Sequence, residues 1–260
     1  MHFSRFSWAV IAALSLSMVP ATRADTIVNA TFNYVNGPGA PGGPYGILIT
    51  AYDGSTTLGS GYIGKYMWTQ NSKPMTDPYS LATGQALSSS NNTFYTFCIE
   101  ITQDIGFNGT YDYTLTPLEA APKPGDAYEG TGGMGSVKAT LLRELWGTDI
   151  SQVTDATTAA EFQVAVWKIV YASGTGSNLD FSALFVNSVS DSLNTTAQSW
   201  INALTPNSKQ ANLIALSNPD AQDQITVVTP LPSSVWGGGL LLGCVGAFRL
   251  RRWVGAQQTV

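Results

Sequence analysis

The stretch Tyr95-Thr96-Phe97-Cys98-Ile99-Glu100-Ile101 decides how this chain is read. At the strand period of two, Tyr95, Phe97, Ile99 and Ile101 share one face, and Thr96, Cys98 and Glu100 share the other. Cys98 therefore falls on the more polar face, away from the apolar row that seeks the core. Downstream, Glu161-Phe162-Gln163-Val164-Ala165-Val166-Trp167 reads as a helix with Gln163, Trp167 and Val170 on one stripe. The expectation is that Cys98 and Gln163 meet.

The chain has 260 residues, enough for one large or two small domains. Charged residues make up only 11% and glycines number 26, a composition that suits a loop-rich β or mixed fold rather than a helical bundle.

Both ends read as addresses. Arg5 gives a basic start, Trp8 to Val19 is an apolar run too short to span a membrane, and Thr22-Arg23-Ala24 offers small residues at a cleavage position. Residues 1–24 are expected to be a secretory signal peptide, with an uncleaved anchor as the alternative. At the other end stand Pro230-Leu231-Pro232, an apolar glycine-rich run from Val235 to Phe248, and then Arg249, Arg251 and Arg252. The run falls short of the ~20 residues a membrane helix needs, and the arginines favour the cytoplasmic side. Proline motif, short apolar helix and basic tail together resemble the PEP-CTERM sorting signal of Gram-negative surface proteins, in the variant with Pro-Leu-Pro. The resemblance implies transient anchoring of residues 230–260 in the inner membrane and removal by an exosortase. A permanent short anchor is the alternative.

Charge and residue usage exclude several function classes. Of twelve Lys+Arg, five (Arg5, Arg23, Arg249, Arg251 and Arg252) lie in the two ends, leaving seven against seventeen Asp+Glu. So acidic a central region argues against nucleic acid and anionic membrane surfaces as partners. The single histidine is His2, inside the expected signal peptide. Without it there is no Ser-His-Asp triad, no Cys-His protease pair and no histidine metal site. No metal or other cofactor is expected. Of the two cysteines, Cys244 lies in the C-terminal apolar run, which leaves Cys98 unpaired in a chain read as exported.

In order, the central region begins with a strand in which Val28, Ala30, Phe32 and Tyr34 alternate with polar residues, and a Gly/Pro loop follows over 36–44. A second strand carries Ile47, Ile49 and Ala51 to Asp53-Gly54, and a third extended piece lies near Gly61 to Met67. A polar loop around Met75 leads to the Cys98 strand. After a turn at Asn108-Gly109, Tyr111, Tyr113 and Leu115 alternate in a strand suited to pair with it as a hairpin. Breakers from Pro122 to Gly135 then mark the switch to a helical part.

Three helices are expected there. Ser136 caps the first, with Val137, Leu141 and Leu145 inward and Gly147 as its stop. Thr158 to Glu161 forms a capping-box pattern for the second. The third begins at Thr195 and carries Ala197, Trp200, Ile201 and Leu204. Between the second and third, Phe181 to Val189 reads as helical or turn-like. Gln224 to Val228 closes the chain as a strand. The expected class is α+β: a β-rich barrel-like or sandwich-like part (25–120 and 220–229) with an inserted helical part (135–205), together spanning 25–229.

Phe97-Cys98-Ile99-Glu100, followed by Phe162-Gln163-Val164-Ala165-Val166-Trp167, resembles the paired signature of bacterial thioester domains: aromatic-Cys-apolar-acidic, then apolar-Gln-x-Ala-apolar-Trp on a helix. The resemblance implies a β-rich subdomain carrying the cysteine, a helical subdomain presenting the glutamine, and a surface adhesin that acts by covalent attachment and is not an enzyme.

The chemistry stands on the residues as well. A thiolate is a strong nucleophile, and a carboxamide held against it with water excluded can pass its acyl group to the sulfur with loss of ammonia. The stored acyl group is then open to capture by a surface amine or hydroxyl. Glu100 is a candidate for proton transfer and Trp167 for shielding the bond. Two other readings remain open. Cys98 is a core thiol in a non-reactive structural protein of the bacterial surface or biofilm matrix, or an enzyme uses paired carboxylates such as Asp104 and Asp112.

Overall fold

The computed structural model describes residues 27–35, 46–71, 85–86, 92–121, 133–174, 176, 178–188 and 192–230. The first strand, β1 (Ile27–Val35), buries Val28, Ala30 and Phe32 in alternation, as a barrel wall requires. A bulge between Phe32 and Tyr34 shifts its phase, so Val35 is buried in place of the expected Tyr34. The extended piece expected near Gly61 to Met67 is two strands, β3 (Thr56–Ile63) and β4 (Tyr66–Gln70), because Gly64 turns the chain at φ 147°.

Six antiparallel strands close into a barrel in the order β1, β4, β6 (Thr93–Cys98), β10 (Ala221–Val227), β9 (Leu213–Asn218) and β7 (Thr110–Thr116), with β7 returning to β1. A second, three-stranded sheet places β2 (Ile47–Asp53) between β3 and β8 (Leu184–Ser188), and a short pair joins β11 (Thr229–Pro230) to β5 (Gln85–Ala86). The hairpin expected between the Cys98 strand and the Tyr111 strand does not form. Asn108 N–H instead donates to Phe32 O (2.8 Å), Phe32 N–H donates to Gly109 O (2.9 Å), and the turn delivers β7 to β1 and β9. Phe181 to Val189, expected to be helical or turn-like, contains strand β8, whose register against β2 pairs Val186 with Ala51.

Among the described residues, three α-helices follow β7 in sequence. Helix α1 (Gly135–Asp149) has no side-chain cap from Ser136, runs through Gly147, and buries Ala139, Leu142, Leu145 and Trp146 while Val137 is exposed. Gly147 is needed for closeness rather than for a stop, since a Cβ there would collide with the Lys209 carbonyl oxygen. Helix α2 (Ala156–Val170) starts one turn earlier than expected, with a capping box made by Asp155 and Thr158. It is central, and every residue from Ala159 to Val170 is buried. Helix α3 (Ser192–Ala203) buries Ala197, Trp200 and Ile201 against the rest.

Strand β6 packs on both sides within one continuous core. On the barrel side, Trp68 packs against Phe32 (5.1 Å between ring centroids) and Tyr113 (5.5 Å), and its indole N–H donates to Thr96 Oγ1 at 2.8 Å. Thr96 in turn donates to Gln224 Oε1 at 2.8 Å. On the helical side, Tyr95 stacks on Trp146 (5.7 Å), and Phe97 meets Trp146 (5.5 Å) and Phe162 (4.6 Å). Each fully buried aromatic side chain of this kind contributes roughly 1.5–3 kcal/mol of hydrophobic stabilisation. The period-two reading of Tyr95, Thr96, Phe97 and Cys98 thus holds, but the strand ends at Cys98, and its more polar face is as buried as its apolar one. Both faces of β6 are interior.

The expected signal peptide (1–24), the loops over 36–44 and around Met75, and the chain beyond Pro230 lie outside the described residues. Among the described residues no helix is long and apolar enough to cross a membrane.

Candidate functional site

Cys98 and Gln163 are in direct contact. Cys98 pairs with Gln224 of β10, and the next residue, Ile99, donates its N–H to Asp223 O at 3.0 Å. By antiparallel alternation, the Cys98 N–H and C=O then point the other way, toward the β4 side. Strand β4 begins only at Tyr66, which pairs with Thr96, so no strand residue stands opposite Cys98. The Gln163 carboxamide fills that place: its Oε1 accepts from Cys98 N–H at 2.8 Å, and its Nε2 donates to Cys98 O at 2.7 Å. Only a side chain carrying a donor and an acceptor on one planar group can substitute for a peptide in this way. Both residues are fully buried.

The sulfur is held by main chain. Cys98 Sγ donates to Glu100 O at 2.7 Å and accepts from Glu100 N–H at 3.3 Å. The Glu100 carboxylate points elsewhere, accepting from Asp223 N–H (3.3 Å) and from Thr102 Oγ1 (3.4 Å). Burial pushes the Cys98 thiol well above its ordinary pKa. The Trp167 indole N–H and the Glu100 main-chain contact pull it down by less, and the negative charges of Glu100 and Asp223 push it up again. At neutral pH this sulfur keeps its proton. Trp167 Nε1 is itself buried without a hydrogen bond of ordinary geometry, although its N–H lies near enough to the sulfur to favour the thiolate.

Of the four central residues expected from the sequence, the structure brings Cys98, Gln163 and Trp167 together, and it brings in Glu100 through its main chain rather than its carboxylate. Asp223 and Tyr66 were not foreseen. Asp223 is buried beside Glu100, and burial together with the charges of Cys98 and Asp104 raises the Tyr66 pKa. The buried run Gln222-Asp223-Gln224 was a readable hint, since three polar residues in a closing strand imply a polar partner inside the barrel.

A cavity of about 350 Å³ opens beside the site, with Trp167 and Tyr66 in its lining. Asp104 also lines it, whereas Asp112 is exposed and accepts from Asn29 Nδ2 at 2.6 Å. Asp112 is not among the residues that line this cavity. Among the described residues, no group of three or more His, Cys, Asp or Glu side chains is placed to hold a metal ion. Of the sorting residues, Pro230 ends β11, and Leu231, Pro232, Arg249, Arg251 and Arg252 lie outside the described residues. Comparison with protein-family models, with curated proteins and with solved structures returns no match for this chain.

Proposed function

We propose that this protein forms an internal thioester between Cys98 and Gln163 and uses it to attach covalently to a surface target. The observation that carries the reading is the double hydrogen bond between the Gln163 carboxamide and the Cys98 main chain, inside a fully buried joint between barrel and helix. In the reaction the Cys98 sulfur bonds to the side-chain carbonyl carbon of Gln163. The C–N bond breaks, and the thiol proton leaves on nitrogen as ammonia. Negative charge that develops on Oε1 meets the Cys98 N–H, which already donates to that atom. The Cys98 carbonyl orients the departing nitrogen. Such positioning supplies roughly 7–11 kcal/mol of barrier reduction, and no histidine or metal is required. An amine or hydroxyl of the target then takes the acyl group and frees the thiol.

On this reading the chain is exported through residues 1–24 and held transiently at the inner membrane by residues 230–260. An exosortase-type enzyme then releases it to the cell surface or extracellular matrix. One observation favours a second reading. Gln163 completes the hydrogen bonding of Cys98 where β4 is absent, which is a sufficient structural role in a non-reactive matrix protein.

Intact mass separates the two. The thioester leaves the protein lighter by one ammonia, methylamine adds its own mass to that species, and Cys98→Ala abolishes both effects. A full mass with a thiol that alkylates on unfolding supports the structural reading.

A further inference from the structure

We propose that the cavity between β3 and the barrel binds one sugar unit of a neutral glycan, whether or not the thioester forms. The argument starts from two glycines. A glycine inside a strand weakens it, and it marks a bulge, a bend, or a place where another backbone or a ligand comes close. Gly59 is explained by the protein itself, since a Cβ there would stand 2.9 Å from the Ile101 carbonyl oxygen. Gly61 is not. It pairs with Ile49 of β2, so the two positions share one face of their sheet, and Ile49 is buried and lines the cavity. A Cβ added at Gly61 would meet no atom within 4 Å, and its φ is not positive. The register shift between β2 and β3 falls between Ala51 and Tyr52, away from it. What remains for Gly61 is room for a ligand.

The lining sets the chemistry of that ligand. Phe107, 43% exposed, stacks on the buried Phe32 at 5.2 Å between ring centroids, and Phe32 meets Tyr66 at 5.6 Å. Aromatic surface therefore runs without a break from the mouth inward. Hydrogen-bonding groups stand on other parts of the wall. Asp104 brings an exposed carboxylate. Gln222 donates from Nε2 to Gln103 O (3.1 Å) and accepts at Oε1 from Gln224 Nε2 (3.1 Å), which leaves a carboxamide one more N–H and one more lone pair. Ser60 directs its hydroxyl to Thr50 at 3.0 Å, so it lines the cavity with main chain, on the edge strand of its sheet.

An aromatic wall with neutral polar groups around it matches a pyranose. The C–H face of the ring packs on aromatic carbon, and its hydroxyls need partners once they leave water. Asp104 is the one charged residue among those lining the cavity, and the chain carries a net charge of −5, so an acidic sugar is disfavoured. An alkylammonium gains little from a single exposed carboxylate. The same two oxygens accept well from adjacent sugar hydroxyls. At about 350 Å³ the cavity is at the small end of ligand pockets, which suits one pyranose unit rather than a longer stretch of glycan.

The test applies saturation-transfer NMR to the full chain with the methyl pyranosides of glucose, galactose, mannose and N-acetylglucosamine, and with n-butylammonium as a cationic control. Wild type is expected to transfer saturation to the ring protons of at least one pyranoside. Gly61→Leu places a side chain in the open space and is expected to abolish the transfer. Its urea unfolding midpoint should be unchanged or higher, because the strand loses a glycine without a clash. Asp104→Asn, an exposed change, is expected to weaken that pyranoside's affinity about ten-fold, the size of one charge-assisted hydrogen bond. No transfer to any pyranoside, full transfer in Gly61→Leu, or unchanged affinity in Asp104→Asn overturns the proposal. Binding of n-butylammonium in place of the sugars, lost in Gly61→Leu, overturns it too. If Gly61→Leu does not fold, the affinity of Asp104→Asn decides alone.

Discussion

The carboxamide of Gln163 stands in for a missing strand opposite Cys98, accepting from its N–H at 2.8 Å and donating to its C=O at 2.7 Å. Replacing Gln163 by leucine keeps much of the volume and removes both partners. Each buried main-chain group left unpaired costs roughly 1–3 kcal/mol. Gln163→Leu is therefore expected to lose about 2–5 kcal/mol in urea unfolding. A loss below about 1 kcal/mol would mean that the two groups find other partners and that the carboxamide is not what completes β6.

If the bond forms, it cross-links two positions 65 residues apart and restricts the unfolded chain. The chain-entropy relation for a closed loop of that length gives about 4 kcal/mol. Opening the bond with methylamine, without denaturant, is expected to lower unfolding stability by up to about that amount while leaving Cys98→Ala unaffected. Equal stability before and after treatment, in protein whose mass shows the adduct, would contradict this role for the cross-link.

Much of this architecture was legible because period-two and period-3.6 patterns survive wherever a surface is half buried. Val28, Ala30 and Phe32 gave away β1, and Ala197, Trp200 and Ile201 gave away α3. The reading failed where burial is two-sided. Thr96, Cys98 and Glu100 looked like an outward polar face because their partners, among them Trp68, Gln224 and Asp223, come from strands remote in sequence. Helix α2 likewise offers no polar face to orient it, since Lys168 is buried with its ammonium donating to the carbonyls of Phe181 and Leu184. The hairpin was misassigned because adjacency in sequence is only a prior for pairing. What decided it was the return of Asn108-Gly109 to Phe32, a contact with no local signature. Cys98 and Gln163 were nameable because their neighbours form a local pattern. Asp223 and Tyr66 have no such pattern.

Two buried tryptophans give an internal comparison. Trp68 Nε1 donates to Thr96 at the head of a chain that continues to Gln224, whereas Trp167 Nε1 has no hydrogen bond of ordinary geometry. Substitution by phenylalanine removes an N–H from each and shrinks each ring system. Trp68→Phe is expected to cost about 1–3 kcal/mol more than Trp167→Phe, because it leaves Thr96 short of a donor. Chemical denaturation of the two variants decides it, and equal losses would show that the Trp68 bond carries no special weight. For Trp167→Phe the expected change is in chemistry, with faster hydrolysis of the ammonia-deficient species.

Alkaline pH tests the buried hydroxyls and the sulfur together. Burial raises the pKa of Tyr66 and Tyr113 above the usual 10.0, and their hydroxyls donate to Tyr62 O (3.1 Å) and Gln222 O (3.2 Å). A group whose pKa is raised by folding contributes stability that is full below its unfolded value and is lost as pH climbs toward the folded one. Each of these tyrosines is therefore expected to withdraw roughly 1.4 kcal/mol per pH unit above about pH 10, seen as a falling unfolding midpoint. The Cys98 thiol, also raised by burial, would begin the same loss from its ordinary value of 9.0, one unit earlier. An acylated sulfur carries no proton and cannot contribute. Untreated protein should then hold its stability to about pH 10, and protein opened with methylamine should begin to lose it from about pH 9. Coincident pH profiles for the two forms would mean that the Cys98 sulfur has the same protonation behaviour in both, which an internal thioester does not allow.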